Sequence, residues 1–280
     1  MNKMGILNKR VKDLIYGDGI DLTGIASADR FGNAPEGWKP TDLLENAESV
    51  ISIGLRIGEG VREANKLAYR GRRHGIYVYQ RFGYTLLNEE LDRTAHRIAR
   101  FLENKGHTAM PIPASSPSDP YALKGVFSNR HAAVAAGLGE FGWQSLLVTP
   151  DNGPRQRLAS VITDAQLDAD PMYNGEKICN KEQCNVCVSV CPMNAISKDK
   201  SVKVDIGGKT FEYAYINKAR CRFGIHALST KTLGRLDFEI PSNPSPEDYL
   251  ETASKESPWQ KMERVGSMCG RCIINCPIPK

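Results

Sequence analysis

CNKEQCNVCVSVCP, from Cys179 to Pro192, decides how the rest of the chain is read. Its cysteines follow C-x4-C-x2-C-x3-C-P, and CGRCIINCP, from Cys269 to Pro277, repeats the end of that pattern. Cys221 stands alone between the two groups, and no cysteine precedes Cys179. In runs of this bacterial ferredoxin type, closely spaced thiolates grip one iron–sulfur cube and the last cysteine serves the neighbouring cube. The proline that follows suits a first helical turn, where its missing N–H costs nothing. Crossing the groups in this way uses every cysteine. Cys179, Cys184, Cys187 and Cys276 would hold one 4Fe–4S cluster; Cys191, Cys221, Cys269 and Cys272 would hold the other. Zinc sites and disulfides are the alternatives. Zinc also accepts C-x2-C, but the paired C-x2-C-x3-C-P groups favour iron–sulfur, and disulfides do not suit a reducing compartment.

The chain has 280 residues, enough for one large domain or two modest ones. With 41% hydrophobic and 25% charged residues, its composition is that of a folded globular protein, which excludes a collagen-like or mostly disordered chain. No apolar run reaches the roughly 18 residues that span a bilayer, and Met1 to Arg10 lacks the apolar core of a signal peptide. Arg72-Arg73 lies mid-chain, away from where an export signal would be. The expected location is cytoplasmic, with no membrane partner. The formal charge is +5 with neutral cysteines. Two clusters, each 2− with its thiolates, would bring it to about +1. A nucleic-acid partner is therefore compatible with the composition but not supported by it.

Ahead of the cysteines, helices and strands alternate. Met4 to Tyr16 reads as a helix, Ile20 to Ser27 and Ser49 to Ile57 as strands, and Leu43-Leu44 as part of a short helix opening near Thr41 and Asp42. From about Gly83 to Lys105 the apolar residues Leu87, Leu91, Ala95, Ile98 and Leu102 recur every three or four positions, predicting a long amphipathic helix closed by Gly106. His107 to Pro113 is a candidate strand and Ser128 to Gly137 a helix; Leu146 to Thr149 and Leu158 to Thr163 read as strands joined across Pro150 to Pro154. SVKVDIGGKTFEYAY, Ser201 to Tyr215, reads as a β-hairpin turning at Gly207-Gly208, expected to cover a cluster. Pro241 to Pro246 reads as an exposed loop. The expected fold is α+β, with a sandwich core over 1–168 and a two-cluster ferredoxin-like domain over 169–280.

SNRHAAVAAGLGEFGWQSLLVTPDNGPRQRLASVITDA, Ser128 to Ala165, resembles the core of the epoxyqueuosine reductase and reductive dehalogenase families, with their AGLG-x-x-G helix-turn and a later strand ending near T-D. DLTGIA, SVISIGL and the cysteine pattern with solitary Cys221 are similar as well, so the resemblance spans nearly the whole chain. It implies a nitroreductase-like core that binds cobalamin, with two 4Fe–4S clusters feeding electrons to it for reductive cleavage of an organic substrate. A corrinoid-reducing or corrinoid-processing electron-transfer protein is the alternative, and FMN is the alternative cofactor, since such a core also suits flavin. The implied partners are an electron donor such as a ferredoxin or flavodoxin and a small-molecule substrate or corrinoid. One departure concerns the acid of the epoxyqueuosine reductases: aligned without gaps from Ala136-Gly137, their aspartate falls on Leu123. Tyr121 and Lys124 flank that position and are the replacement candidates for a proton donor.

Other candidates come from their surroundings. Gly137, Gly139 and Gly142 either let a backbone approach the corrinoid or simply end a helix and turn the chain. GLGEFG does not occupy the strand-to-helix setting of a dinucleotide fingerprint. Arg130 and His131 precede the small-residue run AAVAA and are candidates for cofactor contact and proton transfer. Arg62 to Arg81 interleaves Lys/Arg with Tyr69, Tyr77 and Tyr79; if extended, it would place Tyr77 and Tyr79 on one strand face, Tyr77 being a candidate acid. Arg155 and Arg157 follow the Asp151-to-Pro154 turn, would share a strand face, and either hold the cofactor's amides and phosphate or face solvent. Trp143 reads as core packing rather than a cofactor stack.

Overall fold

The computed structural model describes residues 3–115, 123–233, 238–255 and 268–279. Four strands, β1 (Leu22–Ser27), β2 (Ser49–Arg56), β3 (Ala109–Ile112) and, further on, β6 (Gln156–Thr163), form one antiparallel sheet in the order β1-β2-β6-β3. Its register lines up alternate residues. Ile25 faces Ile51, which faces Val161 on the other side, and one step along Ala26 faces Val50 and then Ile162. Because side chains alternate between faces, the first trio points one way and the second the other. Both faces are covered, and β2 is buried at every position except Arg56.

On the first face lie α1 (Lys3–Gly17) and α5 (Leu86–Glu103). Val11 and Ile15 meet Leu91, Ala95, Ile98 and Leu102 over Ile51, Ile53 and Val161. The three-and-four spacing of α5 supplies that apolar stripe, and Gly106 takes φ +87° just beyond it. On the second face lies α6 (Asn129–Ala135), whose Ala132 to Ala135 are fully buried. Its small side chains bring it close to the sheet, where a Cβ on Gly24 would strike the Ala136 carbonyl.

Between the sheet's first two strands lies α2 (Pro40–Leu43), where the Asp42 carboxylate accepts the Lys39 backbone N–H at 2.9 Å. α3 (Glu59–Ala68) and α4 (Gly75–Gln80) follow β2, and a π-helical turn, Arg81–Thr85, leads α4 directly into α5. This corrects the extended reading of Tyr77 and Tyr79. Aromatic and β-branched residues favour strands, but Ile76, Tyr79 and Gly83 also mark one buried helical face, and Gly75 packs so tightly on α3 that a Cβ would strike the Ala64 carbonyl. Tyr79 is thus buried, while Tyr77 points outward, 42% exposed.

The short strands β4 (Glu140–Phe141) and β5 (Leu147–Val148) pair with each other, and the Thr149-to-Gly153 bridge closes the turn before β6. The cysteine-bearing region contributes α7 (Val186–Ser189), the hairpin β7 (Ile196–Ile206) and β8 (Lys209–Ile216), α8 (Lys218–Ile225), α9 (Pro246–Ser254) and α10 (Arg271–Ile274). The hairpin turns at Gly207-Gly208, both at positive φ. Its tip lies across the second face of the sheet, through Ile206 and Tyr213, and the Gly207 N–H donates to the Arg30 carbonyl at 2.9 Å. Its base, Ile196, Ala214 and Ile216, packs with Cys179, Cys187, Cys191 and Cys272. Among the described residues no helix is long and apolar enough to cross a membrane.

Candidate functional site

No disulfide joins any of the eight cysteines. The turn between β4 and β5 grips the first of them. The Glu140 carboxylate accepts the N–H groups of Ile178 and Cys179 at 2.6 and 2.9 Å, and the Trp143 N–H donates to Cys179 Sγ at 3.3 Å. Trp143 itself is buried, with its indole N–H on the Ser197 carbonyl at 3.0 Å and Lys181 over its ring. At the other end of the region, the Cys269 carbonyl accepts from Asn65 Nδ2 at 3.1 Å and Tyr69 Oη at 3.4 Å, while Gly270 at φ +63° abuts the Tyr79 hydroxyl. Helices α3 and α4 thus roof the last cysteine group.

The electrostatics divide the thiols into two neighbourhoods. Burial pushes Cys187 up to about 12, and the further push comes from Cys179, Cys184 and Cys276. Burial raises Cys276 too, with Cys179 and Cys184 again adding to it. Cys221 is pushed up to about 12 by burial, then by Cys269 and Cys191. Cys272 is raised well above the ordinary thiol range by burial, then by Cys221, Cys269 and Cys191, and least by Cys187. So Cys179, Cys184, Cys187 and Cys276 are mutual neighbours, as are Cys191, Cys221, Cys269 and Cys272, and Cys187 and Cys272 are where the two neighbourhoods meet.

A cavity of about 770 Å³ opens beside the second neighbourhood. Arg222 and Ile273, each one residue beyond Cys221 and Cys272, form part of its wall. The loop at Phe31 to Trp38, the start of α6, the beginning of β6 and one face of the hairpin complete it. At the start of α6, the Ser128 hydroxyl shares a hydrogen bond with His131 Nδ1 at 2.5 Å, and Tyr213 Oη lies 3.3 Å from His131 Nε2. Arg130 Nη1 donates to the Ser145 carbonyl and hydroxyl, both at 2.7 Å, and the guanidinium lies 5.5 Å from the centre of the Tyr213 ring. Burial, helped by the Arg130 charge, lowers His131 to about 3, so the imidazole stays neutral. Burial raises the Tyr213 hydroxyl, against the pull of Arg130.

Of the residues singled out in the sequence, the cavity brings together Arg130, His131, Arg157 and Lys124, the last lying over the Trp38 ring. Tyr121 falls outside the described residues. Tyr77 does not line the cavity; it stacks on His74 at the surface of α4. Arg155 does not line it either, and does not share a strand face with Arg157 there. It precedes β6 and donates to the carbonyls of Cys276 and Ile278, tying down the last cysteine. None of the three glycines is among the residues lining the cavity. At Gly137 a Cβ would strike the Pro171 carbonyl, at Gly139 the Val148 carbonyl and at Gly142 the Gln144 and Val148 side chains, so all three admit protein. Sequence reasoning missed Tyr213 and Arg222. Phe211, Tyr213 and Tyr215 share one face of β8 by period, yet Tyr213 is buried and Tyr215 exposed, and nothing local says which of them meets His131.

No family model matches the chain. A tetrachloroethene reductive dehalogenase of Dehalobacter restrictus is 37% identical over 186 residues, covering 65% of this chain and 26% of that protein. An epoxyqueuosine reductase of Staphylococcus aureus is 26% identical over 215 residues, covering 68% of this chain and 52% of that one. A reductive dehalogenase structure, described as bearing on B12-dependent dehalogenation, matches 98% of this chain and 38% of its own at TM-score 0.58 and 19% identity. A crystal structure of epoxyqueuosine reductase matches 96% of this chain and 79% of its own at TM-score 0.52 and 17% identity. The mixed helix-and-sheet fold is therefore that of these two groups of reductases. In sequence the chain is similar to members of both groups. It spans about a quarter of the length of the dehalogenase and about half that of the epoxyqueuosine reductase it matches.

Proposed function

We propose that the chain is an iron–sulfur oxidoreductase that passes electrons through two 4Fe–4S clusters to a cobalamin in the cavity, for reductive cleavage of an organic substrate. The observation that carries this reading is the division of the eight thiols into two neighbourhoods of four, the second abutting the cavity through Arg222 and Ile273. Among the described residues no three His, Cys, Asp or Glu side chains crowd together as ligands of a single ion would. The paired C-x2-C-x3-C-P groups favour clusters over zinc. Buried thiols that resist ionisation also fit, since a bound metal draws off their protons and offsets the cost of the charge. Bound there, the clusters supply single electrons. We read 1–168 as the nitroreductase-like core and 169–280 as the ferredoxin-like domain.

The cavity suits a large flat cofactor with amide arms. Phe31, Leu147, Val204 and Ile206 offer apolar wall, and Asn129 Oδ1 is buried there with no partner, open to an amide N–H. When bound, cobalamin supplies low-valent cobalt able to cleave a carbon–heteroatom bond. The chain's own residues do the rest. The hairpin covers the sheet side and excludes water. Tyr213 holds its proton at Oη, and His131, neutral between Ser128 and Tyr213, orients that hydroxyl. The epoxyqueuosine reductase and dehalogenase relatives give no support to FMN.

Protein purified without oxygen and then offered cobalamin tests the reading. About eight irons per chain, with a corrinoid absorbance band surviving desalting, is the expected result. Cys184→Ala should lose about half the iron. Eight irons without retained corrinoid would move the reading to a corrinoid-reducing electron-transfer protein; retention of both clusters in Cys184→Ala would overturn the partition.

A further inference from the structure

We propose that the cavity takes an organic anion as substrate, with the Arg130 guanidinium and Arg157, both in the cavity wall, as its counter-charges. This rests on the reading of the cavity as the substrate site. Arg130 is enclosed by protein, yet no carboxylate pairs with it among the described residues; its bonds run from Nη1 to the two oxygens of Ser145. Ser145 is held at φ +66°, a conformation a serine rarely adopts, and in it both oxygens point at Nη1. Strained backbone of this kind persists where surroundings demand it. The arginine is thus oriented by neutral acceptors that leave its charge unbalanced, and an enclosed charge without a counter-ion is costly.

The neighbours do not balance it. Arg157 has neutral partners, Asn88 Oδ1 at 2.9 Å and the face of Tyr84 at 4.2 Å. Tyr213 keeps its proton, and His131 is neutral. Among the described residues, Lys124, Arg130, Arg157, Lys203 and Arg222 line the cavity against one acid, Asp205, which accepts the Thr210 hydroxyl. A neutral ligand would leave this excess standing, whereas a carboxylate offers the paired oxygens that match a guanidinium's fork.

Isothermal titration of the anaerobically purified full chain with benzoate, and with benzamide as its uncharged counterpart, tests this. Benzoate should bind about tenfold tighter or more. Arg130→Gln should erase the preference and Arg157→Gln weaken it, while exposed Arg70→Gln leaves it unchanged. If Arg130→Gln does not fold, Arg157→Gln and the fall of benzoate affinity with salt decide the matter. Equal binding of the two probes overturns the inference, as does a preference untouched in both cavity variants. A corrinoid's phosphate is the other source of such an anion. If Arg130→Gln weakens retention of cobalamin but not of cobinamide, which lacks the nucleotide loop, the guanidinium belongs to the cofactor and the inference falls. Failure of the wild-type chain to retain any corrinoid, with the benzoate preference intact, removes the proposed cofactor and leaves the anion site standing.

Discussion

One sheet presents two faces to very different company. Beneath α1 and α5, Ile51, Ile53 and Val161 meet Leu91, Ile98 and Leu102 in an apolar packing. Across the same strands, Val50 and Ile162 meet α6 and the hairpin, and there the apolar layer gives way to Arg130, His131 and Tyr213 at the edge of a cavity. The first face is closed by local helices with long apolar stripes; the second by segments far apart in the chain. Stability is therefore concentrated under α5, and chemistry where covering the sheet required a chain segment from between the cysteines.

The largest expected effect tests the first half of that statement. Leu91→Ala empties a fully buried site and should cost about 2–5 kcal/mol, lowering the unfolding midpoint and every bound-ligand readout together. Tyr213→Phe on the other face should cost about 1 kcal/mol, yet abolish turnover with iron content unchanged. A Tyr213→Phe chain as unstable as Leu91→Ala would make the second face ordinary core.

Acid provides the next test. His131 titrates near 6.5 when unfolded and at about 3 when folded, so the unfolded chain binds the extra proton between those values. The stability that the neutral ring contributes is complete above pH 6.5 and is lost as pH falls towards 3. The ring touches the cavity, so water screens part of this, and about 1–2 kcal/mol is expected. The groups facing the ring are Ser128, Tyr213 and Arg130, of which Arg130 is the fixed charge. Denaturant titrations at pH 7 and pH 4 should show His131→Gln losing less stability over that interval than wild type. Equal losses would detach the acid sensitivity from the cavity face. The smallest effect lies at the edge of the first face, where Gly106→Ala, in open space but at φ +87°, should cost about 1 kcal/mol and leave ligand binding unchanged.

The two faces also differ in how far the sequence discloses them. The stripe from Leu87 to Leu102 is a periodic signal within one helix, and β1 and β2 show as short apolar runs, so the first face is visible residue by residue. The cysteine spacing is equally local. Tyr77 and Tyr79 mislead because I-Y-V-Y satisfies a strand's alternation, and only the close seat of Gly75 on α3 decides for a helix. The glycines of GLGEFG announce tight backbone without saying against what, and the answer, Pro171 and Val148, lies in other segments. Tyr213 meets His131 across 82 positions of sequence, and no periodicity encodes such a meeting.

The hairpin's attachment carries a consequence for how the protein matures. β7 and β8 leave the chain between Cys191 and Cys221, and their base rests on Cys179, Cys187 and Cys272, while their tip walls the cavity. If those thiols hold clusters, the wall hangs from metal-bearing anchors. A newly made chain lacking iron would have a loosely hung wall, so cluster assembly would come first and ligand loading second. The order of biogenesis would follow from where the hairpin is tied.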